Sequence, residues 1–345
     1  LVLKHFYEED ALTLDALKRI QDRLPDYEDR EAFDGVLDAA GIAVRVTDML
    51  ELHHEETARQ KALFEGSYEL PPKARFTISL PALHDVRSFS DVHSRLWVLD
   101  RRVTCLDEYV EGLRDLMGGY KEAGAVACKD QSAYSRAISY GNPTRSQAEE
   151  AFNWMMADPR RELSYPDGSA PLDDYLFHEL LRMARDLDLP VQIHTGHMAG
   201  IRNNVAKTNA SHLTPLFELH RDVRFDLFHA NWPYSGDVLF LVKNYPNVAV
   251  DFCWTHIIDP VYSVRMLKQA IASVPHGKIH GYGSDFVGNP DRAWAHAHMA
   301  RDNIATALAD MVESDYLDVD EAKSIAGMWL FDNANEFFAL GLTRA

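Results

Sequence analysis

Three short apolar segments of the chain end in side chains that can bind a metal ion or transfer a proton. The segments span residues 191–197, 225–229 and 279–285, and their apolar runs end in His194, His229 and Asp285. Neutral imidazole and carboxylate groups are the usual protein ligands of Zn²⁺, Mn²⁺ and Fe²⁺. A carboxylate next to a bound cation can also accept the proton of an attacking water. Together, the three residues suggest a metal-dependent hydrolytic site.

The spacing of these residues matches a repeating strand–helix unit. His194 and His229 are 35 residues apart, about one such unit, and Asp285 lies 56 residues further, about two units. In a closed α/β barrel, residues from successive strand ends converge at one end of the barrel. The alternative is that each histidine is an ordinary hydrogen-bonded core residue.

The elements that must position these residues alternate between strand and helix patterns from about residue 30 onward. Seven strands are predicted, near residues 42, 75, 124, 190, 223, 247 and 279. Short apolar runs separated by helices are typical of a parallel sheet. The pattern predicts an α/β fold, a (β/α)₈ TIM barrel in which residues 1–345 form a single domain. A polar insertion at about 140–172 is expected to cover the barrel mouth, and residues 320–341 are predicted to form a closing helix.

The composition narrows the class of protein. The chain has 345 residues, of which 46% are hydrophobic, and its net charge is −18. This is enough apolar material for one large core, and an acidic surface repels nucleic acids and anionic lipids. No apolar stretch reaches 18 residues, and three cysteines without a CxxC pair are typical of a reducing compartment. We therefore expect a cytoplasmic protein without nucleic-acid or membrane partners, although the start at Leu1 leaves a removed leader open.

Several short motifs, in this order, resemble the amidohydrolase superfamily. The resemblance is to the amidohydrolase-related branch that includes uronate-isomerase-like and nodulin/FluG-like proteins, and it covers roughly residues 30–342. The motifs lie at residues 124–129, 133–136, 192–196, 228–234, 245–251 and 283–285, with a closing helix that contains Asn335. The resemblance implies a (β/α)₈ barrel that binds one divalent metal ion, which would be Zn, Mn or Fe.

The resemblance also implies a role for four residues. His194 would be the metal ligand of strand 5, His229 a ligand or substrate contact on strand 6, and Asp285 the strand 8 ligand and general base. Lys129 takes the strand 4 position, where we expect an unmodified ammonium facing a substrate carboxylate. The family's His-x-His pair at the end of strand 1 is not found before the first helix. Either strand 1 precedes Leu1 or the metal site is reduced.

Four further residues are weaker candidates for substrate binding. His197 and Arg202 follow strand 5 and could bind an anionic group or lie in a surface loop. Arg136 could bind a substrate carboxylate or form an ion pair between helices. Trp254 follows strand 7 and could form a wall of the pocket or simply pack against its neighbours.

The predicted function is hydrolysis of an amide-like or ester-like bond in a small, acidic substrate. Asp285 would act as general base, and His229 would help to polarise the carbonyl. A uronate-type sugar-acid isomerase or a metal-dependent decarboxylase is the alternative, because the fold does not choose among these reactions. A barrel that binds a ligand without turnover is a third possibility. The sequence does not fix the number of subunits, so a homo-oligomer stays open.

Overall fold

The computed structural model describes residues 1–48, 58–201, 203–286 and 288–344 of the chain. Its strands are β1 (Arg45–Asp48), β2 (Ala74–Ser79), β3 (Ala125–Asp130), β4 (Val191–His194), β5 (Phe225–Phe228), β6 (Val248–Asp251) and β7 (Ile279–His280). The strands are neighbours in one sheet in the order of the sequence. This is the strand order of the (β/α)₈ barrel, so the predicted fold class is confirmed, with seven strands among the described residues.

Helices separate these strands along the chain. They are α1 (Val2–Tyr7), α2 (Leu14–Gln21), α3 (Arg30–Ala39), α4 (Ala58–Phe64), α5 (Pro81–His84), α6 (Phe89–Arg95), α7 (Leu106–Glu122), α8 (Arg145–Met156), α9 (Ala170–Asp186), α10 (Thr214–Leu219), α11 (Ser235–Asn244), α12 (Thr255–Ile258), α13 (Pro260–Ser273), α14 (Pro290–Glu313), α15 (Val319–Gly327) and α16 (Asn333–Phe337). No helix in the described part of the chain is long and apolar enough to cross a membrane.

The chain folds as two compact units. Unit 1 comprises Leu1–Arg45, Pro71–Lys73 and Asp251–Asn333. Unit 2 comprises Val46–Leu70, Ala74–Val250 and Ala334–Ala345. The assignment of the whole chain to a single domain stays a prediction.

Unit 2 contains strands β2 to β5, which pair in parallel. Nearly all of their residues are buried, the polar ones included, as expected for parallel strands whose two faces are both covered. Helix α7 packs against β3 and buries Tyr109, Leu113, Leu116 and Tyr120, which are three or four residues apart and so share one helix face. The insertion predicted at about 140–172 contains α8, which packs against α9. Its place over the barrel mouth stays a prediction.

Unit 1 is built around the 24-residue helix α14, which contacts α1, α3, α13 and α15. Trp294 of α14 forms an apolar cluster with Val36 and Ala40 of the α3 region. The closing helix predicted over residues 320–341 is interrupted by a π-helical turn at Met328–Asp332. The carbonyl of Trp329 accepts a hydrogen bond of 2.8 Å from the Gly281 amide. This bond ties the turn to the residue that follows β7, and π-helical turns of this kind interrupt the regular α-helical ladder.

Candidate metal centre

Strands β4 and β5 bring two of the predicted ligands together. His194 is the last residue of β4, and His229 directly follows β5. The Nδ1 atom of His194 lies 3.2 Å from the Nε2 atom of His229, and the two rings meet edge to face. Both side chains are almost fully buried. Two histidines 35 residues apart in the sequence therefore form one pair, as strand-end convergence requires.

The geometry of this histidine pair fits a shared metal ion. Two nitrogens bound to Zn²⁺ at about 2.0–2.1 Å with tetrahedral angles lie roughly 3.3 Å from each other. The other nitrogen of His194, Nε2, lies 2.6 Å from the carbonyl oxygen of His197, so it donates its hydrogen there. Such an outer hydrogen bond fixes the tautomer and leaves Nδ1 as the nitrogen that can bind a cation.

The third predicted ligand, Asp285, belongs to unit 1. It lies in the loop after β7, is exposed, and adopts a left-handed backbone conformation with φ of 48°. Aspartate tolerates this conformation better than most residues. The preceding residue, Ser284, accepts a hydrogen bond of 2.9 Å from Nδ1 of His296. The convergence of Asp285 with the histidine pair stays a prediction.

A second pair of metal-capable groups lies in unit 1. Asp251 is the last residue of β6 and His280 the last residue of β7. The Asp251 Oδ2 and His280 Nδ1 atoms are 4.0 Å apart, and both side chains are buried. The sequence analysis did not single out this pair. The sequence signal that could have identified the pair is that Asp251 and His280 each end an apolar run.

A row of buried polar side chains crosses four strands of unit 2. Ser79, Lys129, Gln192 and Asp226 are successive partners in the register of β2 to β5. Partners in a parallel ladder project from the same face of the sheet, so these groups form a polar surface on it. Ser79, Gln192 and Asp226 were missed from the sequence because register across strands cannot be read from one strand alone.

Lys129 is the charged centre of this row. It is only 7% exposed, and its Nζ atom lies 3.6 Å from the centre of the Phe228 ring. The ammonium makes no hydrogen bond to the described residues. Burying a cation without an acceptor is costly, and the contact with the aromatic face offsets this cost only in part. The position therefore suits an anionic group of a ligand.

The guanidinium of Arg136 is engaged by two carboxylates of α9. Its Nη1 atom lies 3.1 Å from Asp173 Oδ2, and its Nη2 atom lies 2.5 Å from Asp174 Oδ1. Arg136 is 5% exposed. Of the two readings of Arg136, the structure therefore shows an ion pair to a helix. A contact with substrate stays a prediction.

His84 connects these carboxylates to the end of β3. Its Nδ1 atom lies 3.2 Å from Asp173 Oδ1, and its Nε2 atom lies 3.8 Å from Oδ1 of Asp130, the last residue of β3. Burial alone would lower the pKa of His84, but the two carboxylates outweigh it and raise the pKa to about 9. His84 is therefore a cation at neutral pH. We call His84, Asp130, Arg136, Asp173 and Asp174 the buried ionic network.

A cavity of about 390 Å³ lies next to the histidine pair. Its lining includes His197, Met198, Val205, Trp232 and Pro233. The His197 ring meets Trp232 edge to face at 5.4 Å, and burial lowers the pKa of His197. A larger cavity of about 770 Å³ lies between α13 and α14 and is lined by none of the predicted site residues that the structure describes.

The remaining predicted residues give less information. Trp254 lies in unit 1 at the start of α12, is half-buried, and donates its backbone N–H to the carbonyl of Gly283 at 2.8 Å. Its place in a pocket wall stays a prediction. Arg202 lies outside the described residues.

Gly196 fixes the loop that carries His197. Its φ is 68°, and a Cβ atom there would lie 2.3 Å from the Trp232 carbonyl oxygen. We expect Gly196→Ala to lower the free energy of unfolding by about 2 kcal/mol or more, because backbone atoms cannot yield and φ is positive. Gly200→Ala is the control, since Gly200 also has positive φ but open space around it. Equal losses in urea denaturation would contradict the steric explanation.

The chain matches known proteins over much of its length. A family model described as amidohydrolase matches residues 157–339, more than half of the chain. Protein fluG of Emericella nidulans is 26% identical over 176 residues, which are 49% of this chain. The chain covers 20% of the length of that protein.

Solved structures share the fold. The glucuronate isomerase of Caulobacter crescentus has a TM-score of 0.74 at 18% identity, over 99% of this chain and 74% of that one. A Lactobacillus casei protein provisionally assigned as a metal-dependent hydrolase has a TM-score of 0.72 at 16% identity, over 98% of this chain and 82% of that one. The matched family region contains His194, His229 and Asp285, and the family implies a divalent metal ion. On the strength of the family match, this chain belongs to the amidohydrolase family.

Proposed function

We propose that the protein is a metal-dependent hydrolase that cleaves an amide-like or ester-like bond in a small substrate with a carboxylate. The observation that carries the proposal is the 3.2 Å contact between His194 and His229, whose nitrogens have the separation of two ligands on one cation. His194 and His229 would hold a divalent ion, which would supply a nucleophilic water at neutral pH and polarise a carbonyl.

The residues of the chain supply the remaining functions in this proposal. Asp285 accepts the proton of the attacking water and returns it to the leaving group. Lys129 binds the substrate carboxylate, since its buried ammonium makes no hydrogen bond within the described protein. Tyr134 packs edge to face against His194 and restricts the orientation of the imidazole.

Isomerisation of a sugar acid is a second candidate. The row formed by Ser79, Lys129, Gln192 and Asp226 offers hydroxyl, ammonium, amide and carboxylate groups on one face of the sheet. Such a row suits a polyhydroxy acid. The likeness to the Caulobacter crescentus isomerase supports a shared fold, but it does not support a shared reaction.

The proposal also covers the cellular location, the binding partners and the oligomeric state of the enzyme. All three cysteines are free, which supports a reducing, cytoplasmic location. The net charge of −18 supports a small acidic substrate that is bound locally and argues against nucleic-acid and membrane partners. A homo-oligomer remains part of the proposal to be tested by light scattering.

The reaction can be tested with protein reconstituted separately with Zn²⁺, Mn²⁺ and Fe²⁺. N-acyl amino acids and half-esters of dicarboxylic acids serve as hydrolase substrates, and glucuronate and galacturonate serve as isomerase substrates. Proton NMR separates the outcomes, because hydrolysis releases two products and isomerisation converts one sugar acid into another. Metal-dependent hydrolysis is the expected result. Turnover of the uronates alone would contradict the proposed hydrolase activity and favour isomerase activity. No turnover of either set would favour a protein that binds a ligand without catalysis.

Lys129→Met separates substrate binding from stability. We expect KM for a carboxylate substrate to rise about 100-fold, which corresponds to roughly 3 kcal/mol for a buried charge-assisted contact. The free energy of unfolding should stay constant or rise, because a buried cation is replaced by an apolar chain of similar length. Lys121→Met, at an exposed position on α7, is the control. An unchanged KM in Lys129→Met would exclude Lys129 from carboxylate binding.

A further inference from the structure

The 390 Å³ cavity of unit 2 is linked to the histidine pair through His197. His197 lines the cavity, and its carbonyl oxygen accepts the hydrogen bond from His194 Nε2 at 2.6 Å. A substrate whose reacting carbonyl lies at the histidine pair would therefore place a neighbouring group in this cavity. The volume is at the lower end of the range of about 300–1,000 Å³ for small-molecule sites, so it accommodates one ring-sized group rather than a long chain.

The lining of the cavity favours an apolar occupant. Met198, Val205, Trp232 and Pro233 present thioether, branched, indole and pyrrolidine groups. Asn203 also lines the cavity, but its amide nitrogen donates to the carbonyls of Met198 and Ala199. None of the described lining residues is an aspartate, glutamate, lysine or arginine. Among the described lining residues, an aromatic ring therefore gains contacts with indole and sulfur, whereas a charged group meets no side chain of opposite charge.

The walls of the cavity are held in place before a ligand binds. Gly196 contacts the backbone of Trp232 so closely that no side chain fits between them. The side chain of Asn231 accepts from the Ala210 amide at 2.8 Å and donates to the Tyr234 carbonyl at 3.1 Å. Val205 begins a short 3₁₀ turn capped by the Asn204 side chain. A preformed cavity keeps the ordering cost of binding low.

We propose that this cavity is the specificity pocket of the enzyme and that it selects acids carrying one apolar ring or a comparably branched apolar group. This proposal rests on the proposed function for the place of the reacting carbonyl. The occupancy of the cavity by an apolar ring does not depend on turnover. The substrate class is accordingly an amide or ester with a carboxylate at Lys129 and a ring at Trp232.

The pocket can be tested by ¹⁹F NMR titration of the full chain. The probes are 4-fluorobenzyl alcohol, which carries a ring, and 2,2,2-trifluoroethanol, which does not. The wild type is expected to bind the ring probe at least tenfold more tightly. Val205→Trp fills the cavity and should weaken ring binding at least tenfold, and Val205→Asp should weaken it by adding a charge. Ala206→Trp, at the next and exposed position, should bind like the wild type.

The outcomes separate the pocket from the reaction. The proposed specificity pocket would be contradicted if the wild type bound the two probes equally. It would also be contradicted if both Val205 variants bound the ring probe as tightly as the wild type. If the protein binds the ring probe saturably but hydrolyses none of the substrates, the proposed hydrolase function is contradicted and the proposed pocket is kept. Hydrolysis with the same kcat/KM for N-acetyl and N-benzoyl amino acids would overturn the pocket alone.

Discussion

A His194→Ala, His229→Ala double variant is expected to lose its bound metal and at least a thousandfold in turnover. The two nitrogens are 3.2 Å apart, which is the separation of two ligands on one ion, so the variant removes the two proposed ligands of unit 2. A thousandfold loss corresponds to roughly 4 kcal/mol of transition-state stabilisation, an ordinary contribution for a catalytic ion. Metal is measured by mass spectrometry after dialysis against Zn²⁺, and turnover is measured on the best substrate found.

Two controls make this prediction specific. His212→Ala removes an exposed histidine of the same unit and should keep both metal and activity. His280→Ala removes one member of the buried Asp251–His280 pair of unit 1. Metal retained in the double variant but lost in His280→Ala would move the metal centre to unit 1. Metal retained in all variants would contradict a site at either pair.

The sequence predicted the fold well because the pattern that defines it is local. Each of the seven strands lies within about three residues of its predicted position, since apolar runs flanked by Gly or Pro are visible in one segment at a time. The interruption of the closing helix was not predicted. The bond between Trp329 and Gly281 that accompanies it joins segments almost fifty residues apart. Helix propensity holds no information about such a bond.

The candidate site was predicted only in part for the same reason. His194 and His229 were singled out because each ends a strand, and strand ends converge in this fold. The partners of Arg136 were not found, because Asp173 and Asp174 lie on a helix nearly forty residues away. His84 gave no signal, since a histidine five residues after a strand is unremarkable until its two carboxylates are seen.

Replacement of His84 by alanine is expected to lower the free energy of unfolding by about 3–5 kcal/mol. The imidazole and its partners Asp130 and Asp173 are all buried. Removing the cation leaves the buried Asp130 without the counter-charge of His84, while Asp173 keeps Arg136, and an uncompensated buried charge is among the most destabilising changes in a folded protein. Denaturation in urea at pH 7 measures the loss. His93→Ala, a half-buried histidine that bonds only to the Phe89 carbonyl among the described contacts, should cost about 1 kcal/mol.

The pH dependence of stability separates the charge of His84 from its packing. Its pKa is about 9 in the folded protein, above the ordinary value of 6.5. The folded state therefore holds this proton more tightly, so the contribution is complete below about pH 6.5 and is lost as pH rises through 9. Linkage over this interval amounts to roughly 3 kcal/mol. In His84→Gln, which keeps much of the volume and cannot be protonated, the fall between pH 6.5 and 9 should be smaller by this amount. An identical fall in both proteins would mean that His84 is neutral in the folded state.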